Sequence, residues 1–419
     1  MGDPAKFFRP LHLAGMAILL LLSSLDNAFP EEERSIRWGG RIQLDGHSSS
    51  GDPAYQPFLA DGTEFRRARL FVEGDLNGYT RFKAQYDFAD EIDRSATDSA
   101  GNTVQFDDAP AFKDVYLELH ELPGVGAIRF GHFKEPFSLE ELTTSNHNTF
   151  MERALPNLFA PSRNTGIMLH NQHAGGRLTW AVGGFAETDD EGTARSGSTN
   201  ISGRFTGLPW YRDDKRFLHL GLGLSLRMPD AGTVEFSTRP EAHLGGKPIS
   251  TGTISNVDDL TTLSAEAAMV FERFSVQGEY FRTDLDDGAT DPGFDGWYLY
   301  GSFWLTRGDH RSYDKSAGAF GQVRPATPFD PLKGGAGAWE VALRYSHLDL
   351  SETPNGAAPP TGSTAQVGGE IRNLTIGINW HLNDFTRFMF NYVNSELEDG
   401  SMNATNDANL YLLRIQVDW

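Results

Sequence analysis

Cysteine is absent from this chain. That excludes disulfides, thiolate nucleophiles and thiolate-ligated metal centres, and it fits any redox compartment. Beyond the first residues, no run approaches the ~20 apolar residues that a helix needs to cross a bilayer. Helical spans are thereby excluded, but a membrane β-barrel is not, because its strands alternate apolar and polar positions and dilute their own hydropathy. Cations are scarce: 36 Lys and Arg face 57 Asp and Glu, for a formal net charge of −21. Nucleic-acid binding needs a cationic footprint, so no such partner is expected. Catalytic signatures are missing too, with no Gly-x-Ser-x-Gly elbow and no His-x-x-x-His pair on a helix. His170-Asn171-Gln172-His173 falls at a short turn, and the run Asp284, Asp286, Asp287 and Asp291 lacks the spacing of a calcium loop. Neither an enzyme, nor a metal site, nor a cofactor is predicted.

Glycine and aromatics are abundant: 45 Gly, 29 Phe, 12 Tyr and 8 Trp among 419 residues. That is a vocabulary of strands and turns. The N-terminus reads as a secretory signal over residues 1–28, with Lys6 and Arg9 before an apolar stretch from Leu11 to Leu22. After residue 34 a period of two takes over. Ile36, Trp38, Ile42 and Leu44 alternate with Arg37, Arg41, Gln43 and Asp45, and Phe82, Ala84, Tyr86 and Phe88 with Arg81, Lys83, Gln85 and Asp87. Leu218 to Leu226 and Leu374 to Leu382 are equally regular.

A soluble sandwich alternates as well, so the connections decide. They run long and short in turn: long at 46–63, 89–110, 134–163, 187–197, 229–259, 285–294, 351–369 and 398–407, short at 77–78, 121–125, 174–175, 207–215, 272–273 and 383–384. Short periplasmic turns and long external loops are the mark of an outer-membrane barrel. The fold class is therefore all-β, a transmembrane antiparallel β-barrel of about 16 strands over residues 35–419. Counting 234–242 as membrane strands would give about eighteen instead. The last strand, Tyr411, Leu413, Ile415, Val417 and Trp419 on one face, ends the chain on an aromatic.

Two connections stand out. The third long loop, from Gly131 to Gly166, carries Lys134, Arg153 and Arg163 with apolar anchors such as Phe137, Leu139 and Phe150. A long loop so rich in apolar residues is expected to fold against something. Residues 307–336, where a short turn is due, form a net-positive island containing Lys315 and Arg324. At the inner mouth of a pore such an island attracts anions; as a solvated loop it does nothing.

FRRARL (65–70), GHFKEPFSLEELTTS (131–145), TFMERAL (149–155), HLGLGLSLR (219–227), GAWEVALRYSHLDL (337–350) and LTIGINWHLN (374–383) resemble motifs of the phosphate- and polyphosphate-selective porin family of bacterial outer membranes. The resemblance implies a trimeric barrel in outer-membrane lipid whose third external loop folds inward to narrow the pore. It places the constriction's paired arginines at Arg66 and Arg67, its aspartate at Asp114 and its loop serine at Ser145. The family's loop lysines fall on Glu141 and Asn146, so replacing both by lysine is expected to strengthen phosphate binding. Arg204, Arg227 and Arg239 match an external run of arginines, and Lys315 and Arg324 a periplasmic basic cluster. Strict alternation points Arg67 and Arg69 into the lumen but Arg66 towards lipid, so Arg66 serves the pore only if the strand bulges there or if it lies above the hydrocarbon. Lys134, Ser145 and Asn146 are expected to face the solute. The function read from all this is a porin for passive diffusion of small hydrophilic solutes, with a modest preference for anions such as phosphate. A general or cation-preferring porin is the alternative, and an outer-membrane enzyme or adhesin is a more distant one.

Overall fold

The computed structural model describes residues 35–89, 95–97, 103–105, 111–188, 192–193, 197–354, 364–399 and 404–419. The signal segment 1–28 lies outside them. Sixteen strands close into one antiparallel barrel. In chain order they are β1 (Ser35–Gly51), β2 (Gly62–Asp75), β3 (Thr80–Asp87), β4 (Ala111–Leu122), β5 (Gly126–Lys134), β6 (Arg163–His173), β7 (Leu178–Ala186) and β8 (Thr199–Asp213). The second half holds β9 (Arg216–Met228), β10 (Asp259–Phe271), β11 (Phe274–Asp286), β12 (Gly293–Trp304), β13 (Ala338–Asp349), β14 (Glu370–His381), β15 (Thr386–Asp399) and β16 (Ala404–Asp418). β1 pairs with β16 from Arg41↔Asp418 to Gly51↔Ala408, so no edge is left open. Segments within 234–242 pair only with other loop strands, and the barrel stays at sixteen. The turn expected at 207–215 shrinks to Asp214–Lys215, because β8 runs on through a bulge between Gly207 and Trp210.

The alternation separates lipid from lumen. Outward positions such as Leu222, Leu299, Leu343, Ile376 and Leu413 are exposed, while their polar neighbours are buried. Near the periplasmic rim, Trp339 stacks on Trp380 with ring centres 5.0 Å apart, and Trp380 on Phe388 at 5.8 Å. Towards the external side, Trp297 meets Tyr345. Two aromatic levels bracketing an apolar band are what a bilayer requires of a barrel wall.

The apolar core lies inside the barrel. The third loop (135–162), the fifth loop (229–258) and the inward side chains of β11 to β16 share one buried cluster, among them Phe137, Phe150, Phe159, Phe236, Ile249, Phe294, Tyr300 and Met389. Two inward glycines make room for the third loop. A Cβ on Gly223 of β9 would stand 3.0 Å from the Phe137 ring, and one on Gly377 of β14 would stand 3.1 Å from Phe150. The periplasmic segment after β12 also turns inward. Ala319 and Phe320 bury against Leu139 and Leu142 of α1 (Leu139–Leu142), a one-turn helix in the third loop. The middle of the 307–336 island is therefore packed into the inner mouth, while Arg307, Arg324 and Lys333 stay exposed and Lys315 is half-buried.

Candidate functional site: the constriction

The lumen left open runs along β1 to β6, on the side that the loops do not fill. β2 sets its geometry. The β1–β2 ladder pairs Gln43 with Arg67 and then Leu44 with Phe65, so Arg66 is an extra residue in a bulge. The bulge breaks the alternation and turns both arginines inward. Arg66 donates two bonds to the Glu152 carboxylate, of 2.9 and 3.2 Å. Arg67 donates to Gln43 Oε1 at 2.8 Å, and Arg69 pairs with Asp87 at 2.6 Å.

These strands and the third loop enclose a cavity of ≈ 130 Å³. Seven cations line it: Arg41, Arg67, Arg69, Lys83, Lys134, Arg153 and Arg163. Asp114 is the one carboxylate in the lining, and it accepts from Arg163 Nε at 2.8 Å. Ser145 completes the wall and accepts a 2.7 Å bond from Arg41. Below the constriction opens a vestibule of ≈ 1760 Å³ that also touches Arg41 and Lys83.

Of the residues singled out in the sequence, Arg67, Arg69, Asp114, Lys134 and Ser145 meet at this cavity. Arg66 is adjacent and tied to Glu152, while Asn146 lines the vestibule below, its carbonyl accepting from Gln416 at 3.2 Å. Lys134 is engaged by the Glu141 carbonyl and carboxylate. Lys315 and Arg324 both border the vestibule but hold separate partners, Tyr211 and Asp384. Arg204, Arg227 and Arg239 form no external run: Arg204 pairs with Glu266, Arg227 donates to Phe159 O and Arg239 to Gly245 O. Those arginines fasten loops and wall.

Arg41, Arg153 and Arg163 were not picked out as constriction residues. Arg41 was visible as part of the polar face of β1, but nothing local distinguished it from Arg37. Arg153 reaches the cavity because its guanidinium donates to the carbonyls of Glu140 and Glu141, both at 3.1 Å. The loop carboxylates act as anchors. Burial would raise the Glu141 carboxyl, yet Arg153 and Lys134 hold it at about 2. Burial opposes ionisation of Glu152 as well, and Arg66, Arg67 and Arg414 keep it well below the usual range. His147 is pushed down to about 3 by burial and by Arg41 and Arg387.

A closed sixteen-stranded barrel with two aromatic levels, narrowed by an inward loop to a polar constriction, is a diffusion channel of the bacterial outer membrane. The chain matches the phosphate-selective porin O and P family over residues 36–419 and belongs to that family. It is 25% identical to Porin O of Pseudomonas aeruginosa over 425 residues, covering 94% of this chain and 90% of that protein. Among solved structures, the trimer form of OmpT from Vibrio cholerae superposes with a TM-score of 0.52 at 10% identity, over 93% of this chain and 100% of that one. The outer membrane channel DcaP of Acinetobacter baumannii gives 0.50 at 10% identity, over 94% and 99%. These two likenesses bear on the fold alone. The protein is an outer-membrane channel and not an enzyme.

Proposed function

We propose that the channel prefers small anions, phosphate among them, and binds phosphate weakly. The observation that carries this reading is the constriction lining, seven cations against one carboxylate. Behind that lining stand Asp87, Glu141 and Glu152, which neutralise much of the cationic charge. Arg41 makes no ion pair among the described residues and has only the Ser145 hydroxyl, so it is the cation most available to a passing anion. The net result is a modest preference. Residues 1–28 serve as the export signal, 35–419 as the channel, and the working unit is a trimer, as OmpT forms. Reversal potentials in planar bilayers under a KCl gradient test the reading. Chloride should be preferred over potassium, and Arg41→Gln should reduce that preference. A wild type that favours potassium would leave the general, cation-preferring porin as the better account.

A further inference from the structure

Just below the constriction, five inward side chains on five successive strands alternate cation and ring: Arg37 of β1, Phe71 of β2, Lys83 of β3, Tyr116 of β4 and Arg129 of β5. All five line the vestibule. The Arg37 guanidinium lies 5.7 Å from the Phe71 ring centre and the Lys83 ammonium 5.1 Å from it. The Arg129 guanidinium sits 4.1 Å over Tyr116, and Lys83 is the register partner of Tyr116. Such pairs combine the flat apolar faces of the rings with fixed positive charge.

We infer that this belt is a transit site for aromatic carboxylates, the solute class that the vestibule favours over plain inorganic anions. Each cation of the belt already has a carboxylate partner: Glu73 for Arg37 and Lys83, and Glu118 for Arg129. An inorganic anion therefore gains little here, since it must displace or share those partners. An arylcarboxylate shares those cations on the same terms but gains in addition by stacking its ring on Phe71 or Tyr116. The two regions then divide the task, the constriction selecting sign of charge and the belt selecting a flat apolar body.

The inference rests on the anion reading for how the solute arrives, and one experiment separates the two. The assembled channel is placed in planar bilayers in KCl, and chloride current is titrated with sodium benzoate or sodium acetate on both sides. Benzoate should block at a concentration lower by about tenfold, the scale of one aromatic stacking contact. Phe71→Leu with Tyr116→Leu should close the gap between the two blockers, and Tyr116→Phe should keep it. Equal block by benzoate and acetate in the wild type would overturn the inference, as would a gap that survives in the double leucine variant. A potassium-preferring wild type that still discriminates benzoate from acetate would sink the anion reading and leave the belt standing.

Discussion

Glu141 stands where the family resemblance places a pore lysine, and its surroundings show why a single position cannot be exchanged. Its carboxylate is buried between Lys134 and Arg153, at 3.0 and 3.2 Å, and faces those cations and not the solute. A lysine there would bring three cations together without a counter-ion, and removing one partner of a buried pair costs roughly 3–5 kcal/mol. Glu141→Lys should therefore loosen the third loop, seen as noisy, enlarged single-channel conductance. Asn146→Lys alone, at the vestibule lip, should strengthen block of chloride current by phosphate without that noise. The pH dependence has a definite sign. A carboxylate held at about 2 contributes its full stabilisation above the ordinary value near 4.3, and loses it only as pH falls through the lower figure. The conductance difference between Glu141→Gln and wild type should thus stay constant from pH 7 to pH 4. A difference that has fallen by more than half at pH 4 would mean an ordinary, unpaired carboxyl, because a group titrating near 4.3 is mostly protonated there.

The third loop owes its position to sockets in the wall. Phe137 reaches Phe281 at 6.1 Å between ring centres, and Phe150 reaches Tyr300 at 5.4 Å. The Glu279 carboxylate accepts the main-chain N–H groups of Leu139 and Glu140 at 2.9 and 2.8 Å, and so caps α1 from the barrel wall. Gly377→Ala would press on Phe150 and on the Asn391 amide, which itself holds Met151 N. The loop should shift towards the constriction, and single-channel conductance should fall while the oligomer still assembles. Deleting part of the loop's tip should do the opposite and raise conductance several-fold. How much of this was legible follows from the range of each interaction. The strands could be read because a period of two is local, and the third loop because its anchors Phe137, Leu139 and Phe150 are conspicuous in a loop. The Arg66 bulge was framed by the same alternation, as one of two ways that residue could serve the pore, the other being a place above the hydrocarbon. The inward turn of 229–258 was not legible. It depends on Glu241 meeting Arg344, Ser346 and Thr375, partners more than 100 residues away on β13 and β14. The packing of Phe320 against Leu139 is equally distant, and charge composition alone described that segment as an island.

For the whole molecule the open question is whether the net charge of −21 or the constriction governs selectivity. The two differ in distance from a permeating ion. On the anion-selective reading proposed above, an ion at the constriction meets Arg41 and its neighbours at close range, in a space of ≈ 130 Å³. Surface carboxylates such as Asp61, Asp259 and Asp287 act through water and are screened over the Debye length. That length is about 3 Å at 1 M salt and about 30 Å at 0.01 M. At high salt the acidic exterior is silenced and the constriction acts alone; at low salt the exterior gathers potassium at the mouths and opposes it. The preference for chloride should therefore be greater at 1 M KCl than at 0.01 M, the reverse of a channel whose selectivity comes from surface charge. Reversal potentials measured at a fixed concentration ratio across that range of salt give the comparison. Arg41→Gln should lower the high-salt value most, because there no other contribution competes with the cations of the constriction. If chloride preference instead fades as salt rises, selectivity resides in charges that bulk ions can screen, and the cavity between β2 and the third loop is not where it is set.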